Sequence, residues 1–63
     1  MCLSTVYKNT RTPEAIVMKN VMQIDVQDGT VILTDLMGHT AAVDGVLKQA
    51  NLVDGYVVVK TEE

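Results

Sequence analysis

Val21-Met22-Gln23-Ile24-Asp25-Val26-Gln27-Asp28-Gly29-Thr30-Val31-Ile32-Leu33-Thr34 decides the fold class. In its first half Met22, Ile24 and Val26 alternate with Gln23, Asp25 and Gln27. An extended segment with that period has one apolar face and one polar face. Asp28-Gly29 follows, and then a second β-prone run. An Asp-Gly pair between two such runs supplies the positive φ that a tight hairpin turn needs. The stretch therefore predicts a hairpin that turns Met22, Ile24 and Val26 inward.

The flanks continue the same grammar. Leu3 to Lys8 is rich in β-formers and predicts a first strand. Asn9 to Pro13 is polar, ends in the chain's one proline and reads as a loop. Ala15 to Lys19 predicts a second short strand. Beyond the hairpin, Asp35 to Gly38 is a turn, Thr40 to Val43 a short strand and Asp44-Gly45 a further turn. Val46 to Leu52 fits either one or two helical turns or a strand, and is read as a strand entered through a 3₁₀ turn near residues 46–50. Asp54-Gly55 then turns the chain into a closing strand, Tyr56 to Lys60. The expectation is an all-β fold of five or six short strands in one domain, residues 1–63. A sheet this small must curl to bury a face and hide its edges, which predicts a small SH3-like, partly open barrel.

A 63-residue chain buries only about 60% of the surface its unfolded form exposes. Cys2 is the one cysteine, so no disulfide within the chain can add stability. A metal or a partner subunit remains as the added support. No apolar run is long enough to span a bilayer, the start lacks the features of a signal peptide, and a lone thiol suits a reducing cytoplasm. The net charge of −3 and a basic set scattered over Lys8, Arg11, Lys19, Lys48 and Lys60 offer little to nucleic acid. Tyr7 and Tyr56 are the whole aromatic complement, too few for a base-stacking platform.

Catalysis is not expected. No triad spacing or Gly-rich phosphate loop is present, and an enclosed ligand pocket is hard to build in so short a chain. Asp28, Asp44 and Asp54 sit beside glycines and are explained as turn residues. His39 reads as an exposed loop residue, with a supporting metal ligand as its alternative. Met18 and Met22 read as core or interface fillers.

Cys2 is the residue best suited to specific chemistry. Removal of the initiator Met would give it an α-amine and a thiol on one residue. These titrate near about 8 and about 8.5 in the free state, and a metal displaces both protons at neutral pH. The nitrogen and sulfur close a five-membered chelate ring. With Met1 retained, the Met1 amine, the Cys2 amide and the thiolate can still converge. Such donors suit a square-planar ion such as Ni(II) or Cu(II). One chain supplies too few of them, whereas two chains meeting at a two-fold axis complete the plane. The alternative is a buried or frayed thiol without a partner.

Met1-Cys2-Leu3 before a β-rich run, Val17-Met18-Lys19-Asn20-Val21 before an alternating strand, then Asp35-Leu36-Met37-Gly38, Val43-Asp44-Gly45 and a closing strand together resemble the CooT family. These are very small nickel-binding proteins of bacteria and archaea. The resemblance runs over nearly the whole chain. It implies a homodimer of SH3-like barrels that binds Ni(II) through the cysteine at position two, here Cys2. It also implies a metallochaperone or nickel store, and a nickel enzyme, CO dehydrogenase in the founding member, as maturation partner. Some members carry an RNA-binding label. A small RNA-binding protein and a protein-interaction module are therefore the alternatives to nickel handling. They predict salt-dependent oligonucleotide binding and Cys2-independent partner capture, respectively.

Overall fold

The strands start and stop where the turn residues direct. The computed structural model describes residues 3–61, so Met1 and Cys2 lie outside the described residues. The order is β1 (Ser4–Lys8), a 3₁₀ turn (Pro13–Ala15), β2 (Ile16–Gln27), β3 (Thr30–Asp35), β4 (Thr40–Asp44), β5 (Val46–Asn51) and β6 (Tyr56–Lys60). All six strands form one sheet in the order β4-β3-β2-β1-β6-β5. β1 and β6 are parallel, and the other neighbours are antiparallel.

The expected hairpin is β2–β3, with Gln27 opposite Thr30 and both Asp28 (φ 47) and Gly29 (φ 82) in the left-handed region. β2 is longer than expected, because the strands anticipated at Ala15–Lys19 and Val21–Gln27 are one element. Twelve residues at about 3.3 Å each would span nearly 40 Å. The longest dimension of the molecule is 30 Å, so β2 must bend. Asn20 (φ 56) sits at the bend, and the register shifts between Val21 and Gln23. β1 pairs with the first half, Ile16 to Val21, and β3 with the second, Val21 to Gln27.

β4 and β5 stand at opposite ends of the sheet order, yet Gly45 alone joins them. That connection requires the sheet to roll until its two ends meet, which is the SH3-like, partly open barrel. Asp44-Gly45 is thus a corner between sheet ends and not a hairpin turn. Gly45 is not among the positive-φ residues. Its requirement is space: a Cβ there would run into the Lys60 carbonyl oxygen, with Lys60 C at 3.1 Å and Thr61 Cα at 3.3 Å. The Gly45 amide donates to Gly29 O at 2.8 Å and ties the corner to the hairpin turn.

The 3₁₀ turn expected near residues 46–50 lies elsewhere. The corner delivers Val46 directly opposite Lys60 on the β6 ladder, so β5 is extended from its first residue. The turn forms instead at Pro13–Ala15, inside the segment read as loop and its margin. Pro13 stands at its first turn, where a fixed φ and a missing N–H cost nothing.

Val6, Val21, Val31, Leu33, Val57 and Val59 form the buried core, with Val17, Met18, Ile24 and Val43 packed against it. Of the apolar face predicted for β2, only Ile24 reaches that core. Met22 stays 52% and Val26 57% exposed. The register shift between Val21 and Gln23 puts Val21 rather than Met22 into the core, and Val26, although opposite the buried Val31, is left largely uncovered. Val58 is buried as well, although alternation sets it on the opposite face from Val57 and Val59. The loop after β1 crosses that outer face, and Arg11 Cζ lies 3.7 Å from the centroid of the Tyr56 ring. Asn9 (φ 72) anchors the loop. Its amide donates to Val59 O at 2.8 Å, its Nδ2 donates to Thr61 Oγ1 at 3.0 Å, and its Oδ1 accepts from the Thr61 amide at 2.9 Å.

Candidate functional site

Cys2, the proposed metal ligand, lies outside the described residues, so the site is approached through the residues that receive the start of β1. Ser4 stands opposite Val21 at the bend of β2. The Thr5 amide donates to Gly55 O at 2.9 Å in the β5–β6 turn. The Leu36 amide donates to Asn20 O at 2.9 Å, which brings the β3–β4 turn to the same bend. The entry of β1, the bend of β2 and two turns therefore share one end of the barrel.

That end is apolar and exposed. Met22, Leu36 (53%), Met37 (79%), Leu52 (66%) and Val53 (94%) all present side chains to solvent there. Ser4, Met22, Ile24, Ala50 and Leu52 line a shallow groove of about 220 Å³ with no charged residue in its wall. Leu36-Met37 was legible as an anomaly, because an apolar pair at turn positions breaks the usual polar pattern of turns, whereas Leu52, read as the end of a strand, falls in the turn after β5. Sequence reasoning had assigned them no role.

Both turns are locked by side-chain oxygens. Asp35 accepts from the Met37 amide at 2.9 Å and the His39 amide at 2.9 Å, and its Oδ2 lies 3.1 Å from His39 Nδ1. Partial desolvation alone would raise the Asp35 pKa. The amide hydrogen bonds from His39 and Met37, with the His39 ring, outweigh it and hold the carboxyl below its ordinary 3.8. In the second turn Asn51 Oδ1 accepts from the amides of Val53 at 3.1 Å and Asp54 at 2.9 Å. The apolar tips are thus held in fixed positions.

His39 is an exposed turn residue, as first read, with its side chain 75% accessible and in contact with Asp35. Among the described residues no three His, Cys, Asp or Glu side chains gather into a metal site. Asp28 and Asp54 occupy turns as expected, and Asp44 precedes the corner and accepts from Thr30 Oγ1 at 3.2 Å. Among the described residues no helix is long and apolar enough to cross a membrane. A second concavity is an open groove of about 1010 Å³ beside the β4–β5 corner, lined in part by Lys8, Ile16, Val17, Val43 and Lys60.

The fold and its surface define a six-stranded, partly open barrel of the SH3-like kind, with five of the eight exposed large apolar side chains among the described residues gathered where β1 enters. The chain belongs to the CooT family, whose model, described as CO dehydrogenase accessory protein CooT, matches residues 1–60. The family is thus one of accessory proteins to CO dehydrogenase. The fold is similar to the crystal structure of a candidate CooT from Carboxydothermus hydrogenoformans, with a TM-score of 0.84 at 16% identity, over 98% of this chain and 100% of that one. No curated protein matches.

Proposed function

We propose that this chain handles nickel for CO dehydrogenase, as a metallochaperone or store, and holds Ni(II) through Cys2 at a homodimer interface. The observation that carries the reading is the family match, which begins at residue 1 and so takes in Cys2. CO dehydrogenase is a nickel enzyme, and nickel is here the cargo. The Cys2 thiolate and a neighbouring backbone or amino nitrogen supply two donors, and a second chain supplies the other two of a square plane. Two thiolates also neutralise the dication.

The apolar end of the barrel supports the dimer. Among the described residues eight large apolar side chains are exposed, against seven that are buried. Several of the exposed ones surround the entry of β1, and a second copy seated there would cover them and bring the two N-termini together. Monomers rarely leave such a patch open. A cytoplasmic location and a maturation partner follow from the same reading.

Absorbance during Ni(II) titration tests it. Thiolate-to-nickel charge transfer develops in the wild type and is missing in Cys2→Ser. Native mass spectrometry reports one nickel per two chains. A Cys2→Ser protein that binds nickel as tightly as the wild type removes Cys2 from the site. A monomer that loads nickel alone removes the dimer.

A further inference from the structure

The chain holds three Asp-Gly pairs, Asp28-Gly29, Asp44-Gly45 and Asp54-Gly55. Their local chemistry is the same. A glycine amide nitrogen, with no Cβ to crowd it, can attack the carboxyl carbon of the aspartate before it. The fold treats the three pairs differently. The Gly45 amide is occupied by Gly29 O at 2.8 Å, and the Gly55 amide by Asn51 O at 2.9 Å. The Asp44 carboxylate accepts from Thr30 Oγ1 at 3.2 Å, and the Asp54 carboxylate accepts from Asn51 Nδ2 at 3.2 Å. Gly45 and Gly55 are also half-buried. None of this holds at the β2–β3 turn. Asp28 and Gly29 are both exposed, and nothing lies within 4 Å of where a Gly29 Cβ would stand. Among the described residues neither the Gly29 amide nor the Asp28 carboxylate has a hydrogen-bond partner.

We propose that Asp28-Gly29 is a site of self-modification, where the chain closes to a succinimide and reopens as isoaspartate. The Gly29 nitrogen bonds to Cγ of the protonated Asp28 side chain, and the carboxyl hydroxyl leaves with the amide proton as water. A water molecule then adds to the ring. Cleavage of the Cγ–N bond restores aspartate. Cleavage between the nitrogen and the Asp28 main-chain carbonyl routes the chain through Cβ and leaves the α-carboxylate as the side group. Mass and charge are unchanged, and water is the sole co-reactant. An amide that is already hydrogen-bonded must give up its partner before it attacks, which protects Gly45 and Gly55. The product lengthens the main chain of the hairpin turn by one atom. Gly29 O is the acceptor that ties the corner at Gly45, so the modification loosens that tie. The reaction needs neither nickel nor Cys2.

The test is prolonged warm incubation of the full-length protein at mildly acidic pH, which keeps carboxyl groups partly protonated. Peptide mapping with electron-transfer fragmentation separates isoaspartate from aspartate of the same mass and reads each pair in turn. Isoaspartate at Asp28 is expected at least fivefold above the amount at Asp44 or Asp54. In a denaturing concentration of urea the three pairs should react at similar rates, because the fold and not the dipeptide makes the difference. Asp28→Glu, which cannot close the five-membered ring, should abolish the signal at this pair and leave the other two unchanged. The isoaspartyl protein, isolated by chromatography, should exchange its Gly45 amide hydrogen faster than the unmodified protein. Equal isoaspartate at all three pairs of the folded protein, a preference for Asp44 or Asp54, no isoaspartate at Asp28, or the same ranking in urea overturns the proposal. Unchanged exchange at Gly45 overturns the loosening of the corner.

Discussion

The two ends of this barrel are built on opposite principles. At the corner end, Gly29, Gly45, Asn9 and Thr61 bring backbone against backbone and spend their polar groups on one another. At the end where β1 enters, the turns are just as well hydrogen-bonded, but their tips carry Leu36, Met37, Leu52 and Val53 into solvent. One end is tied together by backbone contacts, with an open groove beside it. The other presents apolar tips, and it is the end to which the proposed metal ligand is attached.

Substitutions can break or sharpen that contrast. Leu33→Ala empties the centre of a core without aromatic side chains and should cost about 3–4 kcal/mol, enough to unfold most of so small a domain. Urea denaturation measures it. Gly45→Ala should cost roughly 2–3 kcal/mol, since the added methyl meets the backbone of Lys60 and Thr61 and strained packing carries that range. An unchanged urea midpoint would mean the corner is looser than described. Asn9→Ala should cost about 2 kcal/mol through two lost hydrogen bonds and a left-handed backbone. Asn9→Gly keeps the backbone freedom and should recover part of that loss, which separates the two causes.

Changes at the apolar end should leave the monomer nearly untouched. Met37→Ser and Leu52→Ser are expected to shift unfolding by no more than about 0.5 kcal/mol. They should nevertheless lower the dimer fraction measured by analytical ultracentrifugation. A full loss of stability without any change in association would reverse the contrast. The smallest effect belongs to Asp35. Its folded pKa is depressed below 3.8, so its contribution is present above the unfolded value and is lost as pH falls through the folded one. His39→Ala should move the Asp35 carboxyl titration upward, as read by NMR.

Much of the fold was legible in the sequence, and the failures have physical reasons. The hairpin at Asp28-Gly29 and the strands ending at Lys8 and Lys60 follow from local rules of turn and alternation. The merging of two expected strands into β2 does not, because Asn20 bends the strand without ending it. Asp44-Gly45 carries the letters of a hairpin turn, while the role of Gly45 comes from Lys60, fifteen positions along the chain. Such a contact is invisible to any short window. The inward face expected of β2 holds at Ile24, but the register shift that buries Val21 in place of Met22 and the exposure of Val26 depend on the neighbouring strands. At the candidate site, the chemistry of Cys2 could be argued from its donor atoms alone. The apolar surroundings of the β1 entry emerged only when the β2 bend and two turns came together.

The parallel pairing of β1 with β6 has a practical consequence. Parallel neighbours enter and leave at opposite poles, so Leu3 and Thr61 are separated by the length of a strand. A reporter attached on the Thr61 side would stand away from the pole where β1 enters, and one attached on the Leu3 side would sit directly upon it.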